Sequence, residues 1–246
     1  LWDNTMEAPL RFKGYILVAL AAILWGSTSI VVSYVLARGV GLLDIAFFMT
    51  SIGALTLLLY TGKKGLSMIR LDLIIFGLFI VPAFRILYAE SVLLNGAGVT
   101  ASLLYVAPLI VAILAPVVIG EKLALIDLFL AVLAVIGAYL SSNPSLKLAS
   151  ALGFLVGLSL AFIYAVTIIA IKYFYNKGYS MEEIIVQPTI AAIPILAVSS
   201  IVTRIKITFD VIIIVALLWG GMVSIGLALI LYVCLLYTSP SPRDRG

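Results

Sequence analysis

The chain has 246 residues, of which 64% are hydrophobic and only 11% charged, with a mean hydropathy of +1.28. A soluble domain of this size carries about 25% charged residues, so the composition excludes one and implies an all-α polytopic membrane protein. A net charge of +4 with one cysteine (Cys234) and no histidine is no nucleic-acid footprint, and it removes an internal disulfide, histidine-ligated zinc and any Ser-His-Asp triad.

Residues 1–13 are polar with mixed charge and read as a cytoplasmic N-terminal segment. The apolar run behind them is too long for the core of a signal peptide. The chain begins at Leu1, which places the true start upstream or at Met6.

Eight apolar spans follow, at Gly14–Leu36, Asp44–Thr61, Leu71–Leu93, Ala97–Ile119, Leu125–Ser142, Ala151–Ile171, Glu183–Val202 and Val211–Tyr237. The connections are short, so successive helices are antiparallel neighbours. The fourth span sets the scale: it has 23 uncharged residues with Pro108 and Pro116 inside, and ends at Glu121–Lys122. At about 1.5 Å per residue such a run crosses a bilayer core of about 30 Å. Prolines inside it need neighbouring helices to satisfy the freed carbonyls. With the N-terminus inside, the inner segments hold eight Lys and Arg and the outer loops four, which orients the chain N-terminus in.

A weak internal repeat overlies residues 17–39 on 155–178 at an offset of 139, pairing Trp25 with Tyr164 and Thr28 with Thr167. Residues 77–88 overlie 221–232 at an offset of 144, pairing Gly77 with Gly221 and Tyr88 with Tyr232. The first span maps on the sixth and the third on the eighth. Chance similarity between apolar helices is the bland alternative; the preserved order argues for a repeat. A five-helix unit crosses an odd number of times, so its second copy enters inverted, a transporter arrangement with its site between the copies. The reading is residues 14–142 as the first repeat of a 5+5 inverted repeat and 151–237 as a second repeat with three helices. Residues 238–246, TSPSPRDRG, have no apolar content: either the protein has eight helices, or, as favoured, the reading frame is broken after the eighth of ten and this tail is foreign to the protein.

The sequence resembles the EamA-type permeases of the drug/metabolite transporter superfamily. The resemblance rests on Trp25-Gly26-Ser27, on Ala97-Gly98, and on Pro108-Leu109 leading to Gly120-Glu121-Lys122-Leu123. It implies a 5+5 inverted repeat and transport of small metabolites, often outward.

Candidate substrate-binding residues sit in the spans. Arg85 is close to the middle of the third, where a charge costs roughly 2.5–3.5 kcal/mol on insertion scales and so faces a cavity or partner. It either binds an anionic substrate group or snorkels to the interface. Glu90, five residues on, is either a proton-linked or cationic-group site or a solvated carboxylate at the outer interface. In the fourth span Tyr105, Pro108, Ala112 and Ala115 share one face, which lines a pathway or packs tightly with Gly98 and Ser102. Trp25, Thr28, Ser29 and Val32 share a face of the first span, with Tyr164 and Thr167 as its mates; core packing is the alternative. Tyr88 and Tyr232 form a second related pair. Pro82, Pro188 and Pro194 allow kinks. Asp44, Asp72, Asp127 and Asp210 fall at span starts and read as helix caps.

No metal-ligand cluster, phosphate loop or nucleophile–base pair is visible, and no cofactor is expected. The functional expectation is a secondary transporter, not an enzyme, moving a small amino-acid-like or otherwise polar or amphipathic solute out across the cytoplasmic membrane by alternating access. Its partners would be that solute and the lipid bilayer, with no nucleic acid; proton coupling and a homodimer are left open. A non-transporting fragment or accessory subunit is the alternative, and an intramembrane enzyme a weaker one.

Overall fold

The computed structural model describes residues 4–120, 129, 132–133, 136–137, 151–203 and 210–232. Among them, every regular element is helical: α1 Asn4–Ala37, α2 Leu42–Thr61, a 3-10 turn Gly62–Leu66, α3 Leu71–Leu104, α4 Ala107–Val118, α5 Ala151–Asn176, α6 Met181–Val202 and α7 Val211–Leu218. The last continues as a π-helix, Trp219–Leu227, and runs on to Tyr232. Among the described residues, six stretches are long and apolar enough to cross a membrane. Most of the expected fifth span, the Glu121–Lys122 pair, Asp127 and the 238–246 tail lie outside the described residues.

The fourth span departs from its expected single helix. Gly96 (φ 76°, ψ 167°) breaks α3 into two helical stretches, a conformation open to glycine because it has no Cβ. A second break falls at Tyr105–Val106. Pro108 has no N–H, and its ring conflicts with the carbonyl four residues back, that of Leu104. The Val106 N–H therefore bonds Leu103 O at 3.0 Å in a tighter turn, and Pro108 opens α4 instead of interrupting it. The face expected to join Tyr105, Pro108, Ala112 and Ala115 is split: both alanines are buried, while Tyr105 and Pro108 are exposed on the described bundle.

Helix α3 packs on α5 and α6, and α2 packs on α6 and on the π-helix. Two glycines permit close approaches between these helices. A Cβ on Gly77 would lie 2.5 Å from Pro188 Cα and O in α6, and one on Gly221 would lie 2.5 Å from Ile52 Cβ in α2.

Each end of the bundle is tied by polar groups. At one end the buried Gln187 accepts from the Arg70 N–H (2.9 Å) and donates to Met68 O (2.8 Å) and Gly65 O (3.3 Å). Ser67 donates to Glu183 (2.9 Å), and Glu183 forms a capping box with Ser180 that starts α6. Asp72 accepts from Lys177 and Tyr179, both at 2.7 Å, and the hydrogen bonds of Lys177 to Asp72 and to Tyr179 hold its amine above its ordinary range. At the other end Arg38 pairs with Asp210 at 3.4 Å, and Ser200 donates to Asp44.

The carboxylates split accordingly. Asp210 caps α7 by accepting from Ile212 N, as expected. Asp44 sits in the first turn of α2, is 2% exposed, and also ties that turn to α6 by accepting from Ser200. Asp72 bonds the Leu73 N–H but also anchors the α5–α6 connection.

Candidate functional site

A narrow cleft opens among α1, α2, α3 and the π-helix. It is lined by Thr28 and Val32; Ile45, Ala46 and Met49; Arg85, Tyr88 and Ala89; and Ile225. The lining is mostly apolar, and the enclosed room holds on the order of one water molecule. Arg85 supplies its one formal charge. The arginine Nε is buried and has no hydrogen-bond partner among the described residues. Its neighbours are the Phe84 ring, 5.7 Å from the guanidinium carbon, and the Tyr88 hydroxyl one turn on. No described carboxylate forms an ion pair with it; the described bridges are Arg38–Asp210, Arg70–Glu183 and Lys177–Asp72.

Aromatic side chains extend the site. Phe84 contacts Tyr88 at 6.0 Å and Tyr164 of α5 at 5.5 Å between ring centroids. Trp25 of α1 meets Tyr232 at 5.7 Å. Ser29 lies beside the Tyr88 hydroxyl. The rings and the guanidinium form a surface suited to an apolar body carrying one negative group, since aromatic faces contribute area and arginine a rigid donor fork.

The ten expected site residues fall into groups. Thr28, Arg85 and Tyr88 line the cleft. Trp25 and Tyr232 pack on each other, and Tyr164 reaches the cleft's aromatic wall through Phe84. Thr167 donates to Ile163 O of its own helix at 2.9 Å. Tyr105 and Pro108 stand at the α3–α4 break, and Glu90 is half-buried outside the cleft lining.

Sequence reasoning missed a hydroxyl knot beside the cleft. Ser27 donates to Leu24 O at 2.7 Å, so its single proton is used. It must then accept from Ser224 (2.8 Å) and from the Trp219 indole N–H (3.1 Å). The knot fastens α1 to the π-helix. Ser27 was noted only for its place beside Trp25, and nothing local marked Trp219 or Ser224 as its partners. Phe84 carried no signal at all.

Comparison with known proteins adds a family. Residues 12–143, more than half of the chain, match the model of the EamA-like transporter family. The chain belongs to that family. It is a multi-pass membrane transporter of the drug/metabolite type, in agreement with its helical spans. A solved structure titled only "Crystal structure of protein" matches with a TM-score of 0.73 at 14% identity, over 89% of this chain and 77% of its own. That likeness shows a shared fold. No curated protein matches the chain. The family match covers Trp25, Thr28, Arg85 and Tyr88, so most of the cleft lies inside it.

Proposed function

We propose that this EamA-like chain is a secondary transporter that moves a small metabolite outward across the cell membrane by alternating access, with its N-terminus in the cytoplasm. One observation carries the reading: a cleft between packed spans, walled by both parts of the chain, holds an arginine whose buried Nε has no described hydrogen-bond partner. An ionisable group at membrane depth is expensive and marks a substrate pathway by default. The substrate-binding residues of this reading are Arg85, Thr28 and Tyr88 at the cleft. Trp25, Tyr164, Thr167 and Tyr232 line its approach, and Tyr105 and Pro108 sit at the hinge between α3 and α4. Glu90 is the carboxylate for proton coupling.

The packing supports an inverted repeat. If α1 corresponds to α5, α2 to α6 and α3 to the α7–π helix, each close contact should have a mate. Gly77 of α3 abuts Pro188 of α6, and its mate Gly221 abuts Ile52 of α2. Trp25 of α1 meets Tyr232; their mates Tyr164 and Tyr88 both flank Phe84. Rocking one such unit against the other around the cleft is the motion alternating access needs.

The test is a thermal-stabilisation screen of small metabolites on the purified chain, followed by counterflow in liposomes. At least one solute should stabilise the chain and exchange across the bilayer, and Arg85→Ala should weaken both. Unchanged affinity and rate in Arg85→Ala would remove Arg85 from the site, and no exchange of any stabilising solute would remove transport.

A further inference from the structure

Resting on the proposed binding role of Arg85, the geometry points to a substrate class: a small carboxylate with an apolar, preferably aromatic, body and no amine. Charge matching in a mostly apolar cleft sets this class. The cleft presents one cation and no described anion. Arg85 is the single charged residue of its lining, and the remainder is Thr28, Tyr88 and six apolar side chains. A guanidinium with a free buried donor accepts a carboxylate in a charge-assisted, planar pair. That pair neutralises the site.

An ammonium on the same ligand would change the sum. It would bring a second cation into a cleft whose lining offers it two hydroxyls and no carboxylate. Glu90 does not line the cleft, and Asp44, beside the lining residue Ile45, is buried against Ser200 of α6. Leaving a charged group unpaired away from water is costly, and that cost is the discrimination. With the spans parted, as alternating access requires, the ligand's body would meet Val32, Ile45, Met49 and Ile225 beside Tyr88, with the Phe84–Tyr164 pair behind it. Nothing in this lining can bond a polyhydroxylated body at several points, so a sugar fits it poorly.

Three probes share one phenyl body and differ only in charge: 3-phenylpropionate, phenylalanine and phenethylamine. Their binding to the purified full chain in nanodiscs is measured by titration calorimetry, with Arg85→Gln and Arg85→Lys alongside. The acid should bind at least about tenfold more tightly than phenylalanine, and the amine least tightly. Arg85→Gln should lose the acid at least tenfold, and Arg85→Lys should retain part of it because charge survives while the planar fork does not. Native-like melting of each variant without ligand shows that it is folded. Phenylalanine binding as tightly as the acid, with loss in Arg85→Gln, overturns the amine-free class and leaves Arg85 as a binder. Acid binding that is unchanged in Arg85→Gln overturns both. No binding of the acid to the wild-type chain at millimolar concentration overturns the class proposed here, and the wider screen then decides the role of Arg85.

Discussion

Replacing Gly77 by alanine puts the helix packing to a direct test. The added Cβ would sit 2.5 Å from Cα and from O of Pro188, with the Ala191 Cβ at 2.8 Å. Carbon contacts relax to about 3.5–4.0 Å, so α3 and α6 must part by roughly 1 Å. The obstacle is backbone, and no rotamer change can absorb it. Overpacking of this kind costs about 1–3 kcal/mol, against a gain of up to about 1 kcal/mol for alanine over glycine within a helix. The net is a loss of about 1–2 kcal/mol, or about 2–8 °C in apparent melting temperature for a chain of this size. Gly98→Ala is the control, because Gly98 is exposed in a helical stretch and its Cβ would meet no described atom within 4 Å. It should melt at or slightly above the wild type. Both are read by circular dichroism melts in one detergent. If Gly77→Ala melts as high as Gly98→Ala, the close approach of α3 to α6 is wrong. The register of Arg85, eight residues along the same helix, would then be wrong with it.

Two further substitutions probe the polar tie at the Arg70 end. Ser180→Ala removes the capping box of α6 and should lower stability by about 0.5–2 kcal/mol, seen as a lower melting temperature, with Ser180→Asp recovering most of it. Gln187→Leu strips partners from the Arg70 N–H and from the carbonyls of Gly65 and Met68; about 2 kcal/mol should be lost, and the Arg70 amide should exchange with solvent markedly faster.

Much of the helix layout was legible because hydropathy and length decide it. Leu71 and Val211 were expected as helix starts and are observed as such, and Thr61 and Val202 as helix ends. The break at Tyr105–Val106 was carried by Pro108 in plain sight. Length alone argued for one helix, and the conflict of a proline with the carbonyl four residues back decided otherwise. The capping box also had a local signature, a serine three residues before a glutamate, but the seventh span was started at Glu183 itself. The Asp44–Ser200 bond was not legible: nothing in the sequence marks a serine 156 positions away as the partner of a first-turn carboxylate. The cleft was legible only in part. Arg85 announced itself by charge within an apolar run, whereas Phe84, Ser224 and Trp219 matter through partners that only the folded chain brings near.

The two ends of the bundle also differ in strength, and this gives an order to any opening motion. Among the described residues, the Arg70 end joins the 62–70 connection to α6 through Gln187 and Glu183, which are 3% and 4% exposed. Each such bond contributes about 0.5–1.5 kcal/mol, and more where a carboxylate takes part. At the Arg38 end the described residues include a buried contact, Ser200 to Asp44, and an ion pair, Arg38–Asp210, whose side chains are 44% and 40% exposed. An exposed pair of that kind contributes about 0–1 kcal/mol and weakens with salt. The Arg38 end should therefore open first. The cleft lies toward it: Ile45 and Ala46 of the lining follow Asp44 directly. Hydrogen exchange on the reconstituted chain reads this out. Amides at 38–42 and 200–203 should exchange faster than those at 64–70, and raising salt should widen the difference by loosening Arg38–Asp210. The opposite ranking would mean that the buried amide network around Gln187 does not hold its end shut, and that the path to Arg85 begins at the other face of the membrane.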